Sequence, residues 1–294
     1  MIATTGRLFP PEALRGLAII SPPLAYAALM LAAPLLLVFT LSLWTQDFIA
    51  LDRTLTLDNY AQAFSDPLYR LLMARSLAVA GIVTVVTVIL AYPIAYYVAF
   101  YARDRAAFWL LLITIPFWTS YLVRIFLWKV ILGYNGVLNS SLMGLGFIDE
   151  PLSFILYNVN SVVITLAHAW APFAILPIYV SLSRIDISLL EAARDLGDGP
   201  LRRFLRITLP LSMPGILAAV LIVFIPTVGD YVTPRLLGGS NGLMIANMIE
   251  IQFGKANNAP LGAALACSAM LIVASISIVM TRLGRRFTRQ DEPS

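Results

Sequence analysis

The chain has 294 residues, of which 60% are hydrophobic and only 12% charged, and its formal net charge is +4. Its mean hydropathy is +0.84. Soluble domains carry about 25% charged residues, so this composition excludes a soluble globular domain and predicts an integral membrane protein. The small positive charge does not indicate a nucleic-acid partner, because in a membrane protein its distribution across the bilayer matters more. Cys267 is the single cysteine, which excludes an intrachain disulfide.

Six apolar segments are long enough to cross a lipid bilayer, for which a helix needs about 20 residues. They cover residues 22–44, 76–101, 107–130, 162–182, 213–232 and 261–281. The first is too long for a cleavable signal peptide and lacks a small-residue cleavage site. Because neighbouring groups satisfy the freed carbonyls, kinks rather than breaks are predicted at Pro93, Pro116, Pro172, Pro177 and Pro226. The predicted fold class is an all-α integral membrane protein with six transmembrane helices.

Orientation follows from the lysines and arginines of the short loops, which favour the cytoplasmic side. With both termini inside, 13 of the 20 basic residues lie there. These are Arg7, Arg15, Arg103, Arg105, Arg184, Arg194, Arg202, Arg203, Arg206, Arg282, Arg285, Arg286 and Arg289. The predicted organisation is a cytoplasmic segment 1–21, a transmembrane domain 22–282 and a basic cytoplasmic tail 283–294.

Three connections on the opposite side are long, at about 45–75, 131–161 and 233–260. The second contains a turn at Asn135-Gly136 followed by a short apolar run at 142–145. This pattern predicts a re-entrant or surface-lying helix.

A polar segment separates the fourth and fifth spans. Ser188 and Glu191 have the spacing of a capping box, which predicts that a helix begins there. A shallow apolar stripe follows at helical spacing, formed by Leu189, Ala192, Ala193 and Leu196. Gly197 stands where a left-handed C-terminal cap is expected, and a second short helix is predicted to begin at Pro200.

Within that segment Glu191-Ala192-Ala193 is followed after three residues by Gly197 and after nine more by Ile207-x-Leu209-Pro210. This pattern resembles the cytoplasmic coupling loop of permease subunits in ATP-binding-cassette (ABC) importers, here spanning 183–212. The resemblance implies contact with an ATPase through Glu191, Ala192, Ala193, Asp195, Gly197 and Arg202. Glu191 is expected to close the cap as well as to contact the ATPase, the alternative being capping alone. An ordinary amphipathic loop is the other interpretation of the segment.

Two further stretches resemble permeases of the spermidine/putrescine type. They are Ile115 to Ser120 with Arg124 and Asn135 to Asn139, and the run from Val228 to Gly239. The resemblance implies an importer of a polyamine or of a similar small organic ion, with opines and aminophosphonates as alternative cargo.

The candidates for the translocation pathway are Asp230, Tyr231, Trp118, Thr119 and Arg124. A carboxylate at membrane depth is costly and is a functional candidate by default, and aromatic faces attract organic cations. Asp230 has two alternatives, an ion pair with Arg124 that pins two helices, or contact with interfacial water. Arg124 itself suits an anion better than a cation.

Six other positions carry expectations of their own. His168 is predicted to be an interhelical hydrogen-bond partner, with a proton relay as the alternative. A solvated outer-loop charge is expected at Glu250, with contact to a binding protein as the alternative. An interfacial aromatic belt is predicted from Tyr96, Tyr97, Tyr101 and Trp109.

The sequence contains no phosphate-binding loop G-x-x-x-x-G-K-[ST] and only one histidine. The chain is therefore expected to be a transporter subunit without a cofactor of its own, while ATP and Mg²⁺ are used by a partner. The resemblance implies two ATPase subunits, a second and different permease, and a substrate-binding protein at the outer face of a bacterial inner membrane. The rival interpretations are an ion-coupled secondary carrier and a non-transporting membrane scaffold.

Overall fold

A computed structural model of the chain describes residues 11–47 and 50–288. In this part of the chain nearly all regular structure is helical. The α-helices are α1 (Pro11–Ser42), α2 (Asp58–Ser65), α3 (Pro67–Phe100), α4 (Ala106–Thr114), α5 (Tyr121–Ile131), α6 (Val137–Gly144), α7 (Val159–Ser183), α8 (Ile187–Asp195), α9 (Pro200–Arg203), α10 (Leu209–Val228), α11 (Val232–Leu237), α12 (Ile245–Phe253) and α13 (Ala259–Thr288). One antiparallel hairpin joins β1 (Thr45–Asp47) to β2 (Ala50–Asp52), with Thr45 opposite Asp52.

Within the described ranges, five helices are long and apolar enough to cross a membrane, and a sixth span results if one bent pair of helices counts as one. The five cover Ala18–Ser42, Pro67–Phe100, Val159–Ser183, Pro200–Val228 and Ala259–Gly284. The predicted fold class, an all-α membrane protein, is confirmed. Helix α1 begins at Pro11, earlier than the expected start of the first span. Parts of the predicted terminal segments, 1–10 and 289–294, lie outside the described residues.

The third predicted span is broken rather than kinked. Its two parts, Arg103–Trp118 and Tyr121–Ile131, meet at 86°. Pro116 lies in a 3₁₀ turn, Ile115–Trp118, and the next two residues are extended. Proline lacks a backbone N–H and its ring displaces the preceding turn, and here the Thr119 hydroxyl donates to the Pro116 carbonyl at 2.6 Å. The prediction that Pro116 only kinks its helix is therefore wrong.

The other four prolines behave as predicted, since each lies inside an unbroken helix. Pro93 is within α3, Pro226 within α10, and Pro172 and Pro177 within α7.

The main core lies where α3, α7 and α10 pack together. Val83, Leu166, Ile178 and Val223 are completely buried there. Gly215 permits the close approach of α10 to α7, because a Cβ atom at this position would lie 2.6 Å from the Ser181 hydroxyl oxygen. These three helices form the rigid frame on which the candidate site is built.

A second apolar cluster joins α2, α12 and α13 to the other end of α3. Tyr69, Leu72, Ile245 and Leu265 are buried in it. The Ile245 backbone N–H donates to the Ser76 hydroxyl at 2.8 Å, which fixes the start of α12 on α3. By contrast, the apolar window of α1 buries none of its residues within this chain, and α1 packs along α13. Its exposed surface is free for lipid or for another subunit.

Candidate functional site

The segment between the fourth and fifth spans forms a capped helix, but the cap is not the predicted one. Helix α8 begins at Ile187, and the side chain of Asp186 accepts a hydrogen bond from the Ser188 backbone N–H at 3.0 Å. Hydrogen bonds from Ser188 hold the pKa of the Asp186 carboxyl below its usual value. Ser188 is therefore inside the first turn, and the predicted capping box of Ser188 and Glu191 is wrong. An Asp two residues earlier supplies the same acceptor.

The other end of α8 closes as predicted at Gly197. This glycine has φ +86, the left-handed conformation that glycine adopts without a steric penalty. Its N–H donates to the Arg194 carbonyl at 2.9 Å, and the N–H of Asp198 donates to the Ala193 carbonyl at 2.9 Å. With both ends capped, α8 is a short rigid body.

The surface of α8 is mostly exposed within this chain. Ala193 is buried, whereas Glu191, Ala192 and Asp195 are exposed. The apolar stripe is largely uncovered here, since Leu196 is 88% and Leu189 47% exposed, and of its four residues Ala193 alone is buried. Among the described residues, no hydrogen bond or ion pair engages Glu191. Its predicted capping role is therefore absent, and its carboxylate is free for another molecule.

The second short helix of the segment begins at Pro200 as predicted, but it does not end as a separate helix. Helix α9 passes through a π-helical turn, Phe204–Thr208, directly into α10. The result is one continuous helical run, Pro200–Val228. Near its start Arg202 lies 3.9 Å and Arg206 3.8 Å from Asp198, in loose and exposed ion pairs. The part of the segment from Pro200 onward and the fifth span therefore form one continuous helix.

At the far end of that helical run lies a polar cluster around Asp230, which is only 8% exposed. One carboxylate oxygen accepts the Tyr121 hydroxyl at 2.8 Å. The other accepts the backbone N–H groups of Val232 at 2.9 Å and Thr233 at 3.3 Å, at the start of α11. The Tyr121 hydroxyl also lies 2.9 Å from the Thr233 hydroxyl. We call Tyr121, Asp230 and Thr233 the Asp230 cluster.

Tyr231 follows directly and is held by its backbone. The side chain of Asn247 donates to the Tyr231 carbonyl at 2.7 Å and accepts from the Met244 N–H at 3.0 Å. The Tyr231 side chain itself is 45% exposed. Tyr231 is thus accessible, at the position that directly follows the buried Asp230 in the chain.

Arg124 lies next to this cluster but does not pair with Asp230. Its guanidinium carbon is 4.4 Å from the centre of the Phe117 ring and 5.9 Å from that of Tyr121. Its Nε and Nη1 atoms are buried and have no hydrogen-bond partner among the described residues. The alternative in which an Arg124–Asp230 ion pair pins two helices is not observed, and Tyr121 makes the link between α5 and Asp230 instead.

Trp118 and Thr119 lie at the break between α4 and α5. Trp118 is 81% exposed, and Thr119 is also exposed. Within the described ranges, no hydrogen bond or ring contact joins either residue to Asp230. The predicted pathway residues are therefore brought together only in part: Asp230 with Tyr231, and Arg124 through Tyr121.

Sequence reasoning missed Tyr121, Thr233 and Asn247. Tyr121 and Arg124 are three residues apart, a spacing that places both on one face of a helix beginning at Tyr121. The sequence predicts one unbroken third span, and in an unbroken span no helix begins at Tyr121. The spacing of Tyr121 and Arg124 is therefore not noticed.

Two lesser predictions have clear outcomes. The Trp128 indole N–H donates to Nδ1 of His168 at 3.1 Å, so His168 is confirmed as an interhelical hydrogen-bond partner between α5 and α7. Glu250 accepts from Arg235 at 2.7 Å, a partner that the sequence did not indicate. In the ranges 11–47 and 50–288 no group of three or more His, Cys, Asp or Glu side chains could hold a metal ion.

A family model described as "Binding-protein-dependent transport system inner membrane component" matches residues 91–289. The spermidine/putrescine transport system permease protein PotB of Escherichia coli (strain K12) is 36% identical over 268 residues, which is 91% of this chain and 97% of that protein. PotB of Haemophilus influenzae is 37% identical over 262 residues, covering 88% of this chain and 90% of that protein.

Among solved structures, a chain of the bacterial alginate ABC transporter in complex with an alginate pentasaccharide-bound periplasmic protein superposes with a TM-score of 0.73. The match covers 95% of this chain and 96% of that chain at 16% identity. At this identity the likeness shows the fold, which is that of an importer permease.

Proposed function

We propose that this chain, which belongs to the family of inner-membrane components of binding-protein-dependent transport systems, forms the membrane pathway of an ATP-driven polyamine importer. The assignment of a polyamine cargo rests on the 36% identity to PotB over 91% of the chain. The chain is a multi-pass permease of the inner membrane and a transporter subunit rather than an enzyme.

The Asp230 cluster supports a cationic cargo. A buried carboxylate next to an accessible aromatic ring, Tyr231, offers charge and a π face to an ammonium group. The carboxylate oxygens accept hydrogen bonds from one hydroxyl and two backbone N–H groups, and these bonds fix the position of the carboxylate. An approaching ammonium group would therefore meet a preformed site and would not have to order it.

The coupling segment, residues 183–212, supports contact with an ATPase. Helix α8 is capped at both ends and presents uncovered side chains, Leu189 and Leu196 among them, together with the unpaired Glu191. We propose that these side chains enter a cleft of one of two ATPase subunits, which use the ATP and Mg²⁺. The termini and this segment then lie on the cytoplasmic side.

The mechanism that we propose is alternating access transmitted along one helix. The run Pro200–Val228 has 29 residues and would measure about 43 Å at 1.5 Å per residue. It begins beside α8 and ends two residues before Asp230. Movement of α8 with a closing ATPase would therefore reach the Asp230 cluster directly, and a pre-existing inward/outward equilibrium would shift.

The remaining partners follow from the family. We propose a substrate-binding protein at the outer face and a second, different permease that completes the pathway. The apolar window of α1, which buries none of its residues in this chain, offers surface for that second permease or for lipid. Purification through a tag on this chain alone should yield both permeases in equal amounts.

ATP hydrolysis by the assembled complex in proteoliposomes, with its own binding protein, tests the function. The ligands are putrescine, spermidine, an opine, an aminophosphonate and ferric iron. Stimulation by the polyamines alone is the expected result. A Glu191→Ala complex is the control, because it should bind the loaded binding protein without the stimulation. Stimulation by no ligand, or uptake that ignores ATP and collapses with an uncoupler, would contradict the proposal.

A second cargo class is favoured by one observation. The Nε and Nη1 donors of Arg124 are buried without an acceptor among the described residues. A carboxylate or phosphonate group would satisfy both donors, whereas a polyamine brings no acceptor. Stimulation only by the opine or the aminophosphonate would support the proposed importer function and would replace the polyamine with an anionic or zwitterionic cargo.

A further inference from the structure

A polar crevice lies between the coupling segment and the end of α3, and none of the four residues of the α8 stripe lines it. It has a volume of about 270 Å³ and opens between the end of α3, α8 and the start of the long helix. Tyr96 and Tyr101 form one wall, Leu190 a second, and Arg203 with Phe204 a third. The crevice therefore combines aromatic walls with one cationic group.

Arg203 is short of acceptors in this crevice. Its Nη1 reaches the Leu190 carbonyl at a long 3.4 Å, and its Nε is buried with no partner in the part of the chain that the structure describes. A guanidinium carries five N–H donors, and a buried charged donor without an acceptor is costly.

The nearby carboxylates do not supply the missing acceptor. Asp198 lies within ion-pair distance of Arg202 and Arg206, and Asp186 caps α8. Across residues 11–47 and 50–288 no ion pair involves Arg203. An acceptor group from outside the chain, with more than one oxygen, would satisfy the free N–H donors of the Arg203 guanidinium.

An apolar groove lies near the crevice and has Tyr97, the neighbour of Tyr96, in its lining. It has a volume of about 400 Å³ and runs between α3 and α4. Ile94, Tyr97, Trp109 and Leu112 are among the residues that line it. The rings of Tyr97 and Tyr101 stack with centres 6.1 Å apart, and Tyr101 also lies 6.2 Å from Tyr96. Tyr97 lines the groove and Tyr101 lines the polar crevice, so this stacked pair of rings connects the two.

We propose that the crevice and the groove together bind one anionic phospholipid, with its phosphate on Arg203 and an acyl chain along α3 and α4. The proposal rests on the proposed function, which places this end of the helices at the cytoplasmic leaflet. Basic pockets between helices on that side suit anionic head groups, and tyrosine and tryptophan rings occupy the head-group level. A free phosphate offers the same anion but leaves the groove empty.

The bound lipid holds α8 against α3 on the face that the ATPase does not use. Coupling then depends on anionic lipid, since the lipid bridges the capped helix to the transmembrane frame.

Native mass spectrometry of the assembled complex, titrated with phosphatidylglycerol in the absence of polyamine, tests the proposal. Loss of one charge-assisted contact in Arg203→Gln should weaken lipid retention about tenfold. Arg206→Gln is the matched control, because it removes the same charge from the same helical run outside the crevice. Equal retention by Arg203→Gln and the unmodified complex would overturn the proposal, and so would equal losses in both variants.

A second variant decides the matter if Arg203→Gln does not assemble. Ile94 is 44% exposed in the groove, so Ile94→Trp fills the groove without a change in charge. It should also lower lipid retention. Unchanged retention in Ile94→Trp, with competition by inorganic phosphate, would mean a free-anion site and would overturn the lipid proposal. Because no polyamine is present, a wrong cargo does not affect this result.

Discussion

The coupling segment and the Asp230 cluster lie at the two ends of the same helical run and are built in opposite ways. The coupling segment is exposed, and its caps join residues at most five apart in the chain. The Asp230 cluster is buried, and its central bond joins residues 109 apart. The first is suited to move as a unit against another protein, whereas the second is fixed by the fold. In the proposed mechanism, force transmission and cargo selectivity therefore depend on different residues and can be altered separately.

Asp230→Ala should have the largest effect. It removes the acceptor of the Tyr121 hydroxyl and of two backbone N–H groups, and hydrogen bonds to a charged group contribute about 1.5–3 kcal/mol each. We expect a clear fall in the thermal stability of the detergent-solubilised complex and loss of uptake.

Asp230→Asn is the control for this loss, since the amide retains an acceptor oxygen and removes the charge. It should restore stability but not the preference for cations. If Asp230→Ala left stability unchanged, the cluster would not be the fixed site described above.

Gly197→Val should have the next largest effect, at the other end of the helix. A side chain in the left-handed conformation costs roughly 1–2 kcal/mol. At 1.4 kcal/mol per factor of ten, this lowers the equilibrium constant for forming the capped helix about tenfold. Uptake should fall by about that factor while the complex still assembles. Gly199→Val is the matched control, because Gly199 has φ −68 and a Cβ there meets nothing within 4 Å. Equal losses in both variants would argue against the cap.

The sequence predicts the local features of the coupling segment better than it predicts the contacts of the Asp230 cluster. Gly197 and the start at Pro200 were predicted correctly because caps and prolines act within one turn. The N-terminal cap of α8 is Asp186 and not the predicted Ser188. Both side chains can accept a hydrogen bond from a backbone N–H, and the sequence alone does not distinguish two such residues so close together. The Asp230 cluster was only half predicted, because Tyr121 is brought to Asp230 by the break at Pro116. Periodicity does not distinguish that break from a kink.

Asp186→Ala should have a smaller and local effect. The pKa of this carboxyl is lowered in the folded chain, so its stabilisation is complete above the unfolded value of about 3.9 and is lost as pH falls through the folded value. At neutral pH the variant should speed hydrogen exchange at the first amides of α8. Asp186→Asn, which keeps an acceptor, should restore protection at neutral pH and should not show the loss in acid. Unchanged exchange in Asp186→Ala would contradict the assigned cap.

Arg235→Gln should have the smallest effect. The ion pair with Glu250 is short at 2.7 Å, but both side chains are well exposed, at 51% and 38%. Such pairs contribute about 0.2–1 kcal/mol and are screened by salt. A thermal shift close to the experimental error, which vanishes at high salt, is expected. A large loss of stimulation by the binding protein, with stability intact, would instead make this pair part of the outer docking surface.

The most direct test of the account compares Glu191→Ala with Asp230→Asn in proteoliposomes, with uptake of putrescine and of spermidine measured for each. Glu191→Ala should lower uptake of both by the same factor, because the coupling segment drives every cycle. Asp230→Asn should change the ratio between the diamine and the triamine, because it alters the charge that the cargo meets. An unchanged ratio in Asp230→Asn, together with normal uptake in Glu191→Ala, would contradict the account.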